Sequence, residues 1–232
     1  MSEPSFAIVI PIHNEAGFLL PALGRLTDQV DLVSEDYRVI LAENGSTDET
    51  AAEAAEAAEH DPRITVLKLP DPDYGLAMRR GLEHVQDSDW IVTFDIDYFS
   101  GPFIRQTLTM ADTADIVIAS KRAPGSDDRR PFVRRLGTQV FNYLLRRATG
   151  SKVSDTHGIK AFRRTAIEKL LPDVHLTEDL FDTELVVRAE REGYRITEVP
   201  IVVEELREAR SSLIRRIPRT LRGIQRLRRA LK

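Results

Sequence analysis

Cysteine is absent from this chain, which excludes a disulfide framework, a thiolate zinc site and a cysteine nucleophile, and permits a reducing compartment. Any metal is therefore held by oxygen or imidazole. Long apolar runs are also missing: none approaches the roughly 18 to 20 residues needed to cross a bilayer, and residues 1–12 lack both the basic start and the apolar stretch of a signal peptide. The expectation is a cytoplasmic protein. Gly/Ser-rich linkers are lacking as well, so the 232 residues read as one large domain with an appendage. The division falls at 1–205 for the domain and 206–232 for the appendage.

Charge of one sign is scarce only at the C-terminal end. From Leu206 to Lys232 ten Arg or Lys stand against one acid, Glu208, giving +9; a chain of net charge -4 then carries -13 on the remainder. A basic tail on an acidic body implies a polyanionic surface as partner, either phospholipid or nucleic acid. Within the tail, Leu213, Ile217, Leu221, Ile224, Leu227 and Leu231 form one helical stripe, with Arg215, Arg219, Arg222, Arg226 and Arg229 opposite. Such a helix rests on an anionic membrane surface. Base-stacking aromatics are missing from it, so nucleic acid is set aside as a partner. Pro218 predicts two pieces, with the proline near the start of the second.

Short apolar runs recur at Phe6–Ile10, Val39–Ala42, Ile64–Leu67, Ile91–Phe94 and Ile116–Ala119, with helical stretches near 16–30, 48–60, 75–86 and 101–112. Strands alternating with helices at this spacing predict an α/β fold with a mostly parallel, Rossmann-like sheet. Ligands then bind beyond the carboxyl ends of the strands. Ser46 with Glu49 three residues later predicts a capping box for the second helix.

Three of these strands end in polar clusters: Pro11-Ile12-His13-Asn14-Glu15, Glu43-Asn44-Gly45-Ser46-Thr47-Asp48, and Asp95-Ile96-Asp97. In a parallel sheet the three loops converge on one edge and line one cleft. Two carboxylates at a strand tip make a hard-oxygen site suited to Mg²⁺ or Mn²⁺ and a diphosphate. An isolated Asp-x-Asp also reads as a strand end followed by an acidic turn; it is the convergence that favours the metal.

With these loops the chain resembles the family 2 glycosyltransferases of GT-A fold, and within them the branch of dolichol-phosphate mannose synthases and other polyprenyl-phosphate glycosyltransferases. The branch resemblance rests on Gly75-Leu76-Ala77-Met78-Arg79-Arg80-Gly81-Leu82, Ser120-Lys121-Arg122, Arg134-Arg135-Leu136-Gly137-Thr138 with Asn142, Phe181 to Ala189, and Gly193 to Ile201. It implies that Pro11, His13, Glu15, Glu43, Ser46, Asp48, Gly75, Arg79 and Asp95 bind the nucleotide sugar, and that Asp97 with Asp95 meets the metal. Asp95, Asp97, Asp182 and Glu184 form the implied catalytic set. Lys121, Arg134 and Thr138 take the positions that hold the lipid phosphate, lysine keeping a point charge where arginine is more usual. Phe99 departs from the pattern, since the synthases often place a glutamine ligand there; Glu43-Asn44 departs from the paired aspartates of many relatives.

The implied reaction is inverting transfer of a hexose from a nucleoside diphosphate (GDP-mannose or UDP-glucose type) to a polyprenyl monophosphate. An ionised phosphate acceptor needs positioning by cations more than a general base. The helix from Pro131 to Thr149 mixes Arg134, Arg135, Arg146 and Arg147 with Phe132, Leu136, Val140, Phe141, Leu144 and Leu145, which suits either a headgroup boundary or a core position. Peripheral attachment to the cytoplasmic face follows, and a separate anchoring subunit is admitted as a partner. The first alternative is a family 2 enzyme acting on a sugar hydroxyl, with Asp155 or Asp179 as base; the second is a non-catalytic membrane-surface adaptor. His157 reads first as a structural turn residue.

Overall fold

The computed structural model describes residues 4–156, 158–177, 180–203 and 213–231, with the backbone alone at 203 and 213–220. In chain order the elements are β1 (Phe6–Ile12), α1 (Leu19–Asp31), β2 (Tyr37–Asn44), α2 (Thr50–His60), β3 (Ile64–Leu69), α3 (Tyr74–His84), β4 (Trp90–Thr93) and α4 (Gly101–Thr109). There follow β5 (Ile116–Ser120), β6 (Asp127–Asp128), α5 (Phe132–Thr149), β7 (Lys160–Arg163), α6 (Arg164–Leu170), α7 (Phe181–Arg191), β8 (Ile196–Pro200), β9 (Val202–Val203) and α8 (Leu213–Ala230). The main sheet has the order β3-β2-β1-β4-β7-β5-β8. All its neighbours pair in parallel except β7, which runs antiparallel between β4 and β5.

Helices cover both faces, and β1 shows why its residues are apolar throughout. Phe6, Ile8, Ile10 and Ile12 enter a cluster with Leu23, Ala54 and Phe103 on one side of the sheet. Ala7 and Val9 enter a second, with Met78, Leu82, Phe181 and Leu185, on the other. This alternation is the period-2 consequence of a strand buried on both faces. Gly81 lets α3 lie directly on β1, because a Cβ there would collide with Val9.

Two local expectations are corrected. Helix α2 starts at Thr50, and Glu49 makes no side-chain capping bond. Ser46 is unavailable as a cap because its Oγ accepts from the Asn14 N–H at 3.1 Å, and Asp48 Oδ1 instead accepts from the Thr50 N–H at 3.0 Å. Helix α8 runs through Pro218 without a break. Proline there removes one backbone bond, and the helix is held further along, where Leu227 packs with Leu145 and Leu180, joined by Phe141, Leu176 and Leu231. Arg188 and Arg191 donate to the carbonyls of Ala230 and Leu231 at 2.8 and 2.6 Å, closing the helix end. Half of the apolar stripe thus meets protein. Among the described residues, no helix is long and apolar enough to cross a membrane.

Candidate active site

Register brings the three polar loops to one edge: Ile12 pairs with Glu43, and Val9 with Thr93. The first two loops are then stitched together. Asn14, the one non-glycine residue with positive φ (53°) among those described, gives its N–H to Ser46 Oγ and accepts from the Thr47 N–H through Oδ1 at 2.9 Å. His13 Nδ1 lies 2.8 Å from the Asn44 carbonyl, which can only accept, so that nitrogen carries the proton and Nε2 accepts from the Asn14 amide at 3.2 Å. Glu43 is buried, with Oε1 taking the Ser46 N–H at 2.6 Å. Gly45 (φ +60°) is required here: a Cβ would sit 2.8 Å from the Asp71 carbonyl carbon. Pro11 is half-buried on β1, and the Glu15 N–H donates to Thr50 Oγ1 at 2.6 Å.

Beyond β4 the chain turns sharply, the Tyr98 N–H donating to the Asp95 carbonyl at 2.9 Å. Asp95 and Asp97 both open to solvent. Asp95 nevertheless sits at a cleft floor ringed by protein. Its carboxyl is pushed up to about 6, first by lost hydration and then by the like charges of Asp97 and Asp182, with Lys160 and Lys121 opposing. Beneath it lies a group that pattern reading overlooks. Lys160, 1% exposed, donates to the Gly158 carbonyl at 2.6 Å and to Asp182 Oδ2 at 3.3 Å, and the Tyr74 hydroxyl donates to the same oxygen at 3.1 Å. Asp182 is therefore a neutralised floor residue. Phe99 packs against the core and offers no donor.

On the far side of Asp95, Lys121 Nζ forms an ion pair with the buried Asp155 carboxylate at 2.9 Å. Glu198 Oε1 holds that segment by accepting from the Ser154 N–H and hydroxyl at 2.9 and 2.6 Å. Thr138 donates to the Arg134 carbonyl at 3.1 Å and accepts from Arg130 Nη2 at 3.4 Å. Arg130 is a second residue absent from the sequence reading; its guanidinium forms two 2.8 Å bonds with Asp128. From Arg130 the chain enters α5, whose Phe132, Val133, Leu136, Val140 and Tyr143 are exposed. At 100° per residue they fall on one face.

Two expected site residues are bonded into the frame. Arg79 donates to the carbonyls of Leu171 and Val174 and lies over the Phe181 ring. Glu184 is wholly buried, with Oε2 accepting from the His175 and Leu176 N–H groups and Oε1 from Arg188. Together they pin the 171–176 segment to α3 and α7. Asp48 is likewise a loop-and-helix brace, its carboxyl lowered by the Thr50 hydroxyl. Gly75 is buried in the first turn of α3. His157 and Asp179 lie outside the described residues.

A parallel sheet whose edge gathers an acidic pair, a stitched loop pair and flanking cations is matched by the family model described as glycosyl transferase family 2, over residues 7–171. The chain belongs to glycosyltransferase family 2. Its α/β fold is of GT-A type. It is 30% identical over 218 residues to glycosyltransferase AglD of Haloferax volcanii, a match covering 91% of this chain and 35% of that protein. It is 31% identical over 170 residues to the undecaprenyl-phosphate 4-deoxy-4-formamido-L-arabinose transferase of Enterobacter sp. (strain 638), covering 71% and 50%. The chain thus spans half or less of these relatives. Among solved structures, glucosyl-3-phosphoglycerate synthase from Mycobacterium tuberculosis, in complex with Mn²⁺, UDP and glucosyl-3-phosphoglycerate, superposes with a TM-score of 0.68 at 19% identity. That match covers 95% of this family 2 glycosyltransferase and 80% of the synthase.

Proposed function

We propose that this family 2 glycosyltransferase is an inverting, metal-dependent enzyme that moves a hexose from a nucleoside diphosphate to a polyprenyl monophosphate at a membrane surface. One observation carries the reading: the Asp95–Asp97 turn stands beside a cationic group, Lys121 and Arg130 with Thr138, from which α5 leads away with an exposed apolar face. A donor diphosphate, an anionic acceptor oxygen and a prenyl chain each find a complementary surface in that order. The relatives named for undecaprenyl-phosphate transfer agree with it.

The donor set fits a divalent cation held jointly with substrate. Among the described residues, no group of three or more histidine, aspartate or glutamate side chains could hold a metal alone. Asp95 and Asp97 supply two hard oxygens, and Mg²⁺ is commonly bound by one or two carboxylates plus substrate phosphates. Such an ion stabilises the charge gathering on a departing diphosphate. The chain's own residues do the rest. The stitched loops carrying His13, Glu15 and Glu43 frame the nucleoside, and the cations place the acceptor oxygen in line with the anomeric carbon.

The hydroxyl-acceptor alternative loses ground because Asp155 is buried and paired with Lys121, which leaves it poorly placed as a base. A non-catalytic adaptor has family membership against it. Membrane contact is assigned to the α5 face, since Ile224, Leu227 and Leu231 of α8 pack on protein. The deciding experiment offers nucleotide sugars with Mn²⁺ to the protein together with a polyprenyl phosphate or its alcohol. Glycolipid from the phosphate alone supports the reading, and transfer only to hydroxyl acceptors defeats it.

A further inference from the structure

Four buried side-chain polar atoms among the described residues have no hydrogen-bond partner: Glu53 Oε2, Trp90 Nε1, Thr107 Oγ1 and Tyr98 Oη. Buried polar groups are nearly always satisfied, so each exception calls for a physical reason. Tyr98 differs from the others in its surroundings. Its ring packs against the core while its hydroxyl lies within electrostatic reach of Asp155, Arg130, Asp128 and Asp95, at the junction of the donor and acceptor sides. A phenol is an ordinary neutral hydrogen-bond donor at physiological pH.

The neighbouring Arg130 is paired in a telling way. Asp128 grips it through both oxygens, and the two side chains are only 14% and 12% exposed. A carboxylate bound side-on to a guanidinium has the same fork geometry as a phosphate bound by arginine. The same Nη2 that bonds Asp128 also donates to Thr138 Oγ1 at 3.4 Å. Asp128 itself lies on the two-residue strand β6, whose ladder partner among the described residues is the equally short β9.

We propose that Tyr98 and Arg130 form the inner wall of the acceptor-phosphate site, with Asp128 as an internal stand-in: the incoming phosphate monoester replaces the Asp128 carboxylate on Arg130, and the Tyr98 hydroxyl donates to one of its oxygens. This rests on the polyprenyl-phosphate reading above and adds the Tyr98 hydroxyl and a displaced carboxylate at Arg130 to it. Withdrawal of Asp128 admits the phosphate oxygen to a hydroxyl that is sealed before binding. At Arg130 one anion takes the place of another, and no covalent bond is altered.

The test is calorimetric titration of the whole chain with farnesyl monophosphate, with farnesol as control, on the wild type and the variants Tyr98→Phe, Arg130→Gln and Asp128→Asn. Losing a hydrogen bond to a charged group weakens binding roughly tenfold or more, which is the change expected for Tyr98→Phe and Arg130→Gln. Asp128→Asn is expected to tighten binding, because it removes the competitor and keeps the shape. Tyr98→Phe is also expected to melt no lower than wild type, since it deletes an unsatisfied buried group. Unchanged binding by Tyr98→Phe would overturn the proposal, as would equal weakening by Asp128→Asn and Arg130→Gln, the mark of a structural pair. If wild type binds a nucleotide sugar but not farnesyl monophosphate, the lipid-phosphate reading falls, and this proposal with it.

Discussion

Lys160 and Asp182 face each other at 3.3 Å in the floor of the cleft, with 2% and 11% of their side chains exposed. Within the pair Lys160 opposes the upward push on the Asp95 carboxyl, while Asp182 adds to it. Removing one member of a buried pair strands the other charge, typically at a cost of about 3–5 kcal/mol. Lys160→Met should therefore lower the melting temperature sharply, and Lys160→Met with Asp182→Asn should recover much of the loss. Equal melting of the single and double variants would show that the pair does not account for the stability of the floor.

Asp97 tests the metal assignment from the opposite direction. It is exposed and its side chain braces nothing among the described residues, so Asp97→Ala should change stability by no more than about 0.5 kcal/mol. Transfer activity should be abolished even at saturating Mg²⁺ or Mn²⁺. Sugar transfer at wild-type rate by a folded Asp97→Ala protein would end the metal assignment.

Acid sensitivity is predicted at a site remote from the cleft. Arg195 grips Asp115 with two side-chain bonds of 3.0 and 2.7 Å and lowers its carboxyl to about 2. A depressed carboxylate stabilises the fold above its ordinary range near 3.8, and that contribution fades as pH falls toward 2. Asp115→Asn should consequently melt below wild type at pH 6, with the gap narrowing between pH 4 and pH 2. A gap independent of pH would assign the effect to packing alone.

The α5 and α8 surfaces should separate in a vesicle experiment. Phe132→Ser with Leu136→Ser and Val140→Ser should reduce sedimentation with anionic vesicles at nearly unchanged melting temperature, because these side chains are exposed. Leu227→Ala should do the reverse, losing about 2–5 kcal/mol of stability with vesicle binding intact. Loss of vesicle binding in the second variant and not the first would return the membrane contact to α8.

The parallel strands are legible in the sequence because both their faces are buried, which leaves uninterrupted apolar runs such as Phe6 to Ile10. Strand β7 escapes that reading: it has four residues, and its first is a lysine. The convergence of Glu15, Glu43, Asp95 and Asp97 follows from topology alone, since parallel strands deliver their C-terminal loops to one edge. Motif letters do not say which way a helical side chain turns, which is why the bonds of Arg79 and Glu184 to the 171–176 segment are not legible in the sequence. Arg130 is fixed by Asp128 two residues away and by Thr138, whereas Lys160 and Tyr98 owe their roles to neighbours distant in sequence, Asp182 and Asp155. No local pattern marks them.

Strand β7 also sets the order in which the cleft can be assembled. Strands β4 and β5 share no ladder; each is joined to the sheet's other half only through β7. A chain emerging from synthesis can pair β1 to β4 among near neighbours, but it must wait for residue 160 before β5 and β8 have anything to dock on. The strand that closes the gap carries Lys160 at its leading end, so the counter-charge reaches the carboxylate edge in the same event that unites the sheet.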